Sequence, residues 1–243
     1  MQERFFEVLN SQLEKIRSTQ KEAITTAASL MADSIAKDGI IQMFGSGHSQ
    51  IGGLEMFYRA GGLVPVNVLY APCLSVYPHA SWSTYFERQE GLAKTLLACE
   101  KVSPKDVAIV SSVSGRNAVP IEMAMELKKR GLKIIVITSM IYAEKTSSRH
   151  SSGKLLYELG DVVIDNCSAY GDAALSMEGC ESRFAPTTSI TTFTILEALE
   201  AKTVELLVQA GIDPPLFTSS NVDGGDAINE ALMDRYRDRI SAF

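Results

Sequence analysis

Two short segments carry hydroxyls and glycines in an order suited to holding a small anion. The first is Gly45-Ser46-Gly47-His48-Ser49 and the second is Ser111-Ser112-Val113-Ser114-Gly115-Arg116-Asn117. Each follows a short apolar run and precedes a helical pattern. Glycine permits a tight turn, and the helix that follows offers unpaired N–H groups and the positive end of its dipole. Phosphate is the natural guest of such a cradle, with Ser46, Gly47, Ser49, Ser112, Ser114, Gly115, Arg116 and Asn117 as the groups that would hold it. Neither segment contains a lysine, which excludes a P-loop. Gly45-Ser46-Gly47 opens like a dinucleotide fingerprint, but Gln50 stands where the third glycine belongs, and Val66 to Tyr70 offers no acid for a ribose. NAD is thereby disfavoured. Ser49 and Ser114 have the wrong glycine offsets for a G-x-S-x-G elbow, which disfavours a serine hydrolase.

Acid–base chemistry next to that cradle falls to three residues: Glu55, His48 and Glu87. Glu55 comes about one helical turn after the first segment, so its carboxylate is expected to face the ligand. His48 lies inside the segment itself and can donate to phosphate or act as a general acid. Glu87 and Glu90 flank Arg88 at the expected start of a helix, where capping and acid–base roles both suit a carboxylate. Of the other histidines, His79 falls in a Pro-flanked irregular stretch suited to a lid or subunit contact, and His150 is expected at the surface. Arg59 and Arg116 are the cations expected nearest an anionic ligand. No histidine or cysteine spacing suits a metal, so neither metal nor cofactor is expected.

The elements that must position these groups are legible as alternating patterns. Apolar runs at Ile40 to Phe44, Val66 to Leu69, Val107 to Val110, Ile134 to Ile137 and Val162 to Ile164 predict five buried parallel strands. Helical patterns at Ile51 to Ala60, Glu87 to Cys99 and Val119 to Arg130 lie between them, the last ending at Gly131. Together these predict an α/β, doubly wound, five-stranded parallel sheet flanked by helices. Residues 1–37 form an N-terminal helical segment, one helix or two; residues 38–210 form the core, closed by a long helix from Ser189 to Ala210. Residues 211–243 hold a Gly-Pro turn and a last helix from Ala227 to Ile240. In such a sheet ligands bind beyond the carboxyl ends of the strands, so both segments should open on one edge.

Composition sets the outer bounds. A chain of 243 residues with 46% hydrophobic and 21% charged residues suits one folded domain. A formal net charge of -6 speaks against nucleic acid or anionic lipid as partner. There is no apolar run long enough for a signal peptide or membrane span, so a cytoplasmic protein is expected. Cys73, Cys99, Cys167 and Cys180 form no C-x-x-C pair and read as buried free thiols. The N-terminal helical segment buries little by itself, so it is expected to pack across the domain or against a second copy, and a homodimer or homotetramer is expected.

The two segments, Ser112-x-Ser114-Gly115 above all, resemble the sugar isomerase (SIS) domain, a flavodoxin-like fold that binds phosphosugars. Gly131 to Ser139 and Leu159 to Asn166 are similar to later strands of that fold, and the likeness runs from about Leu30 to Ala210. Glu55 to Gly62, Glu87 to Gly91, Gly171-Asp172 and Ser220-Asn221 further resemble stand-alone SIS proteins described as phosphosugar-binding. Phosphoheptose isomerase and N-acetylmuramic acid 6-phosphate etherase are more distantly similar. The resemblance implies phosphate contacts from Ser112, Ser114 and Asn117 with Ser46 or Ser49, and oligomers whose neighbouring subunits complete each site. It leaves three activities open: a phosphosugar isomerase, a sugar-phosphate lyase or etherase, and a non-catalytic phosphosugar sensor.

Overall fold

The computed structural model describes residues 1–243. Two N-terminal helices, α1 (Gln2–Thr19) and α2 (Lys21–Ala36), break at Gln20 and lead into β1 (Ile41–Gly45). There follow α3 (Gln50–Met56), β2 (Val66–Val68), α4 (Ala80–Phe86), α5 (Leu92–Leu97), β3 (Val107–Ser111) and α6 (Ala118–Lys129). β4 (Lys133–Thr138), α7 (Met140–Lys145) and β5 (Val162–Asp165) complete the sheet. A small hairpin, β6 (Ala173–Leu175) and β7 (Phe184–Pro186), precedes the long α8 (Thr188–Gln209) and the closing α9 (Gly225–Tyr236).

The five main strands are parallel, in the order β2-β1-β3-β4-β5. All five expected strands are present within a residue or so, because each is buried on both faces and therefore reads as a continuous apolar run. Alternation along the strands divides the core. Ile41, Met43, Ile109, Ile135 and Ile137 point to one face with Met31, Ile35, Ile195 and Leu199 of α2 and α8. Phe44, Ala108, Val110, Ile134 and Val136 point to the other with Val119, Met123 and Leu127 of α6. Helices on both faces make the sheet doubly wound, as expected. No helix is long and apolar enough to cross a membrane.

Beneath the amino ends of the strands lies a buried polar node. Asp106, wholly inaccessible, accepts the Ile40 N–H at 3.0 Å, the Gln42 amide at 3.0 Å and the Ser103 N–H at 2.9 Å. Its remaining lone pairs take Arg239 Nη2 at 2.8 Å, which ties the chain's C-terminal turn to the sheet.

Four expectations are corrected. The helix expected from Glu87 to Cys99 does not exist as one element: α4 ends at Phe86, Glu87 caps it, and α5 starts after Gly91, whose φ of 88° no continuing helix accommodates. Glu87 and Glu90 thus lie in a turn between two helices, and the dipole argument for them fails. The pattern from Ile51 to Ala60 shortens to the seven residues of α3. Finally, none of the cysteines is buried: Cys99 and Cys180 are exposed, in connections outside the helices and strands, and Cys73 and Cys167 are half-buried.

Candidate functional site

In the strand order found here, chain direction across the sheet reverses between β1 and β3, and a crevice opens beyond their carboxyl ends. Both serine turns leave from these two strands. Gly45 at the end of β1 is in register with Ser111 at the end of β3, so the turns start one strand spacing, about 4.8 Å, apart. Each turn depends on a glycine. A Cβ on Gly45 would fall 2.3 Å from the Ser49 carbonyl oxygen, so only glycine lets the first turn fold back on itself. Gly115 has a φ of +57°, and a Cβ there would also press on Thr138 Oγ1 at 3.0 Å.

The crevice is a cleft of about 640 Å³. Ser46, Gly47, His48 and Ser49 line it from the first turn, and Ser112, Ser114 and Asn117 from the second. Ten lining residues carry a hydroxyl and none is a lysine or arginine, so an anion here meets dipoles rather than charge. The hydroxyls are not equivalent. Ser46 Oγ donates its proton to Glu87 Oε2 at 3.0 Å. Ser112 Oγ accepts the Gly115 N–H at 3.3 Å and keeps its own proton free, while Ser49 and Ser114 have no partner in the protein. Within the two turns, Ser49, Ser112 and Ser114 are therefore the hydroxyls free to donate. Behind them, α6 is long enough to present a dipole, whereas α3 is short.

Glu87 stands between the turns. Its Oε1 accepts the Asn117 amide at 2.7 Å, and its backbone carbonyl takes the Val119 N–H at 3.0 Å. Burial pushes its carboxyl above the usual range, against the pull of Ser46, Asn117, Arg88 and Arg149. Asn117 Oδ1 also accepts Arg149 Nη1 at 2.8 Å, so its amide orients Glu87 and keeps one N–H for a ligand.

The opposite wall comes from residues that the sequence marked only weakly or not at all: Tyr142, Asp172, Thr188, Ser189 and Thr192. Burial raises the Asp172 carboxyl, opposed by the Tyr142 hydroxyl, the His48 ring and the Thr188 hydroxyl beside it. Tyr142 Oη donates to Asp172 at 3.4 Å and accepts the Gly171 N–H at 3.0 Å. Asp172 has a φ of 65°, an unusual backbone that its short polar side chain tolerates.

Three expected site residues lie elsewhere. Glu55 does not line the cleft; it pairs with Arg59 Nη1 at 2.9 Å. The pair sits near Glu200 of α8, a buried carboxyl that accepts the Leu63 N–H at 3.4 Å. Burial holds Glu200 up at about 7; Glu197 and Glu55 push the same way, while the Leu63 bond and Arg59 oppose. Arg116 points out of the cleft and donates Nε to the Ser147 carbonyl at 3.0 Å, and Gly115 shapes the turn without facing the cleft.

His150, expected at the surface, has a side chain only 9% exposed, because it is packed between Glu122 and Glu90, with Nε2 3.6 and 3.9 Å from their oxygens. These three side chains bring possible ligand atoms within 4.8 Å of one another, a grouping that no sequence spacing reveals. His150 Nδ1 accepts the Ser152 N–H at 3.1 Å, so the ring proton sits on Nε2, facing the carboxylates. With Ser151 bound to Glu90 at 2.6 and 2.7 Å, the group clasps residues 147–152 against the Glu87–Gly91 turn.

The family model described as SIS domain matches residues 4–139. The chain belongs to the SIS domain family. Relatives match over nearly its whole length: a UPF0309 protein of Geobacillus sp. strain WCH70 is 43% identical over 240 residues, covering 99% of this chain and 97% of its own. A UPF0309 protein of Listeria monocytogenes serovar 1/2a is 42% identical over 236 residues, 97% of each chain. Among solved structures, a phosphoheptose isomerase from Francisella tularensis superposes with a TM-score of 0.55 at 17% identity, over 84% of this chain and 96% of that one. The Vibrio vulnificus NanR protein complexed with ManNAc-6P gives 0.54 at 14% identity, over 96% of this chain and 68% of that one. At such identities the structural likeness establishes the fold. Membership of the SIS family supports phosphosugar-related binding by this chain.

Proposed function

We propose that this SIS-domain protein binds a sugar phosphate in the β1/β3 cleft and isomerises it, moving a proton between C1 and C2. Ser49, Ser112 and Ser114, with the N-terminus of α6, hold the phosphate. The observation that carries the catalytic part is the placement of Glu87, a half-buried carboxylate between the two serine turns, oriented by Ser46 and Asn117. A base with a raised pKa accepts a carbon-bound proton more readily than an ordinary carboxylate. Glu87 takes the C2 proton of the open-chain aldose while the electron pair moves to the carbonyl oxygen, which is protonated by His48 from the same cleft. The enediol then takes the proton back from Glu87 at C1 while its O2–H proton passes to His48, which restores both groups and leaves the carbonyl at C2. The same reading makes the protein a homodimer or homotetramer with sites near the subunit interface. Exposed Tyr77, Trp82 and Tyr85, beside the cleft residues Ala80, Ser83 and Thr84, support it.

The test is exchange of a sugar C–H for solvent deuterium across a panel of hexose, heptose and amino-sugar phosphates. Wild type should exchange and Glu87→Gln should bind with similar affinity without exchanging. The acid limb of the wild-type rate profile should fall above the ordinary glutamate range. Exchange that persists in Glu87→Gln removes Glu87 as the base. Tight binding by wild type with no exchange removes the enzyme reading in favour of a sensor.

A further inference from the structure

The N-terminus of α8 differs from the other helix ends in carrying two buried hydroxyls without partners. Thr187 occupies the cap position, where a threonine hydroxyl normally turns back onto the first turn, yet it makes no cap bond. Thr187 is 0% and Thr188 8% exposed, and neither Oγ1 has a hydrogen-bond partner. The first helical bond donated at this end is Thr191 N–H to Thr187 O at 3.1 Å, so the N–H groups of Thr188, Ser189 and Ile190 find no acceptor in the protein. Thr188 and Ser189 line the cleft, on the wall opposite the serine turns. Buried polar groups without partners are costly and mark a position that something else fills.

The surroundings define that something. Asp172 lies beside Thr188, near enough for the hydroxyl to favour its charged form but outside the geometry of a formed hydrogen bond, and it offers an acceptor. Glu87 and Asp172 both line the cleft with no lysine or arginine, so a second anionic group would meet two carboxylates and no counter-charge. A neutral group that accepts from the helix end and donates to Asp172 meets both demands. Apolar surface is supplied by Pro186, just before Thr187, and by Phe193 further along α8.

We infer that this end of the cleft takes the N-acyl group of an N-acylated amino-sugar phosphate. The acyl oxygen accepts from Thr188 and the free N–H groups of α8, the amide N–H donates to Asp172, and the methyl rests against Pro186 and Phe193. The inference rests on the phosphosugar reading and narrows its substrate class.

Calorimetry with four probes tests it: N-acetylglucosamine 6-phosphate and N-acetylmannosamine 6-phosphate against glucose 6-phosphate and mannose 6-phosphate. At least one acetylated probe should bind about tenfold or more tighter than its unacylated counterpart. Thr188→Val keeps the side-chain volume and removes a hydroxyl that is unpartnered in the free protein, so unliganded stability should hold or rise. In it the acetyl preference should fall to about twofold or less while hexose phosphate affinity stays unchanged. Asp172→Asn, which suits the same backbone, should reduce the preference independently. Equal binding of acetylated and plain sugars by wild type overturns this inference alone, as does a preference that survives in both variants. Failure of all four probes to bind overturns the phosphosugar reading and this inference with it.

Discussion

Replacing Glu200 by Gln should make the protein more stable at neutral and alkaline pH and change the shape of its stability profile. Glu200 is enclosed between α8 and the Gly62–Leu63 segment with one long hydrogen bond, and burial raises its carboxyl from 4.5 to about 7. A carboxyl whose pKa rises on folding binds its proton more tightly in the folded state. Its contribution is therefore fully present below the unfolded value and disappears as pH climbs through the folded value. Each tenfold change in proton affinity is worth about 1.4 kcal/mol, so the whole effect amounts to about 3 kcal/mol, of which about 2 kcal/mol lies between pH 5 and pH 8. For a chain of this size about 2–4 °C of melting temperature corresponds to each kcal/mol. The melting temperature of Glu200→Gln minus that of wild type should thus grow by about 4–8 °C from pH 5 to pH 8. Thermal unfolding by circular dichroism at four or five pH values suffices. A difference that stays constant over that range would show that Glu200 is ionised in the folded protein, and that the packing of α8 does not exclude solvent from it.

Two further variants probe the cradle and the base of the sheet. Ser112→Ala combined with Ser114→Ala should weaken sugar-phosphate binding about a hundredfold or more, two charge-assisted hydrogen bonds being lost, while unfolding free energy drops by only about 1 kcal/mol. Unchanged affinity in titration calorimetry would rule these hydroxyls out of the cradle. Arg239→Ala should lower the urea midpoint, at constant slope, by an amount equivalent to about 3 kcal/mol, because Asp106 would be left as a buried charge without its ionic partner. A loss below about 1 kcal/mol would mean that the three hydrogen bonds to Asp106 suffice without the guanidinium.

The sheet was legible because its strands are buried on both faces, and the serine turns were legible because glycine and serine cluster at their ends. What escaped the sequence depends on spatial neighbours. Glu55 and Glu87 look alike as acids near helices; only the break at Gly91, which turns residues 87–91 toward Asn117, separates the one in the cleft from the one paired with Arg59 outside it. Gly91 was the available signal, and a helical reading of Glu87 to Cys99 passed over it. Thr187-Thr188 before a long helix is an ordinary cap signature, and nothing in one dimension shows that these hydroxyls fail to cap. The hairpin of β6 and β7 has strands of three residues each, too short for alternation to be visible. His150 shows no metal or catalytic spacing because its neighbours Glu90 and Glu122 come from separate parts of the chain.

A cleft lined by two carboxylates and by no lysine or arginine has a consequence for how quickly a phosphate arrives. In a site walled by arginine or lysine the local field draws anions inward, and added salt slows capture by screening that field. Here Glu87 and Asp172, in a chain of net charge -6, give the mouth the opposite sign. An approaching sugar phosphate must climb a repulsive potential before the serine hydroxyls and the end of α6 can hold it. Added salt flattens that climb. Association should accelerate with ionic strength while dissociation, governed by short-range hydrogen bonds, hardly changes, so the protein would capture its ligand best at salt concentrations that weaken most phosphate-binding proteins.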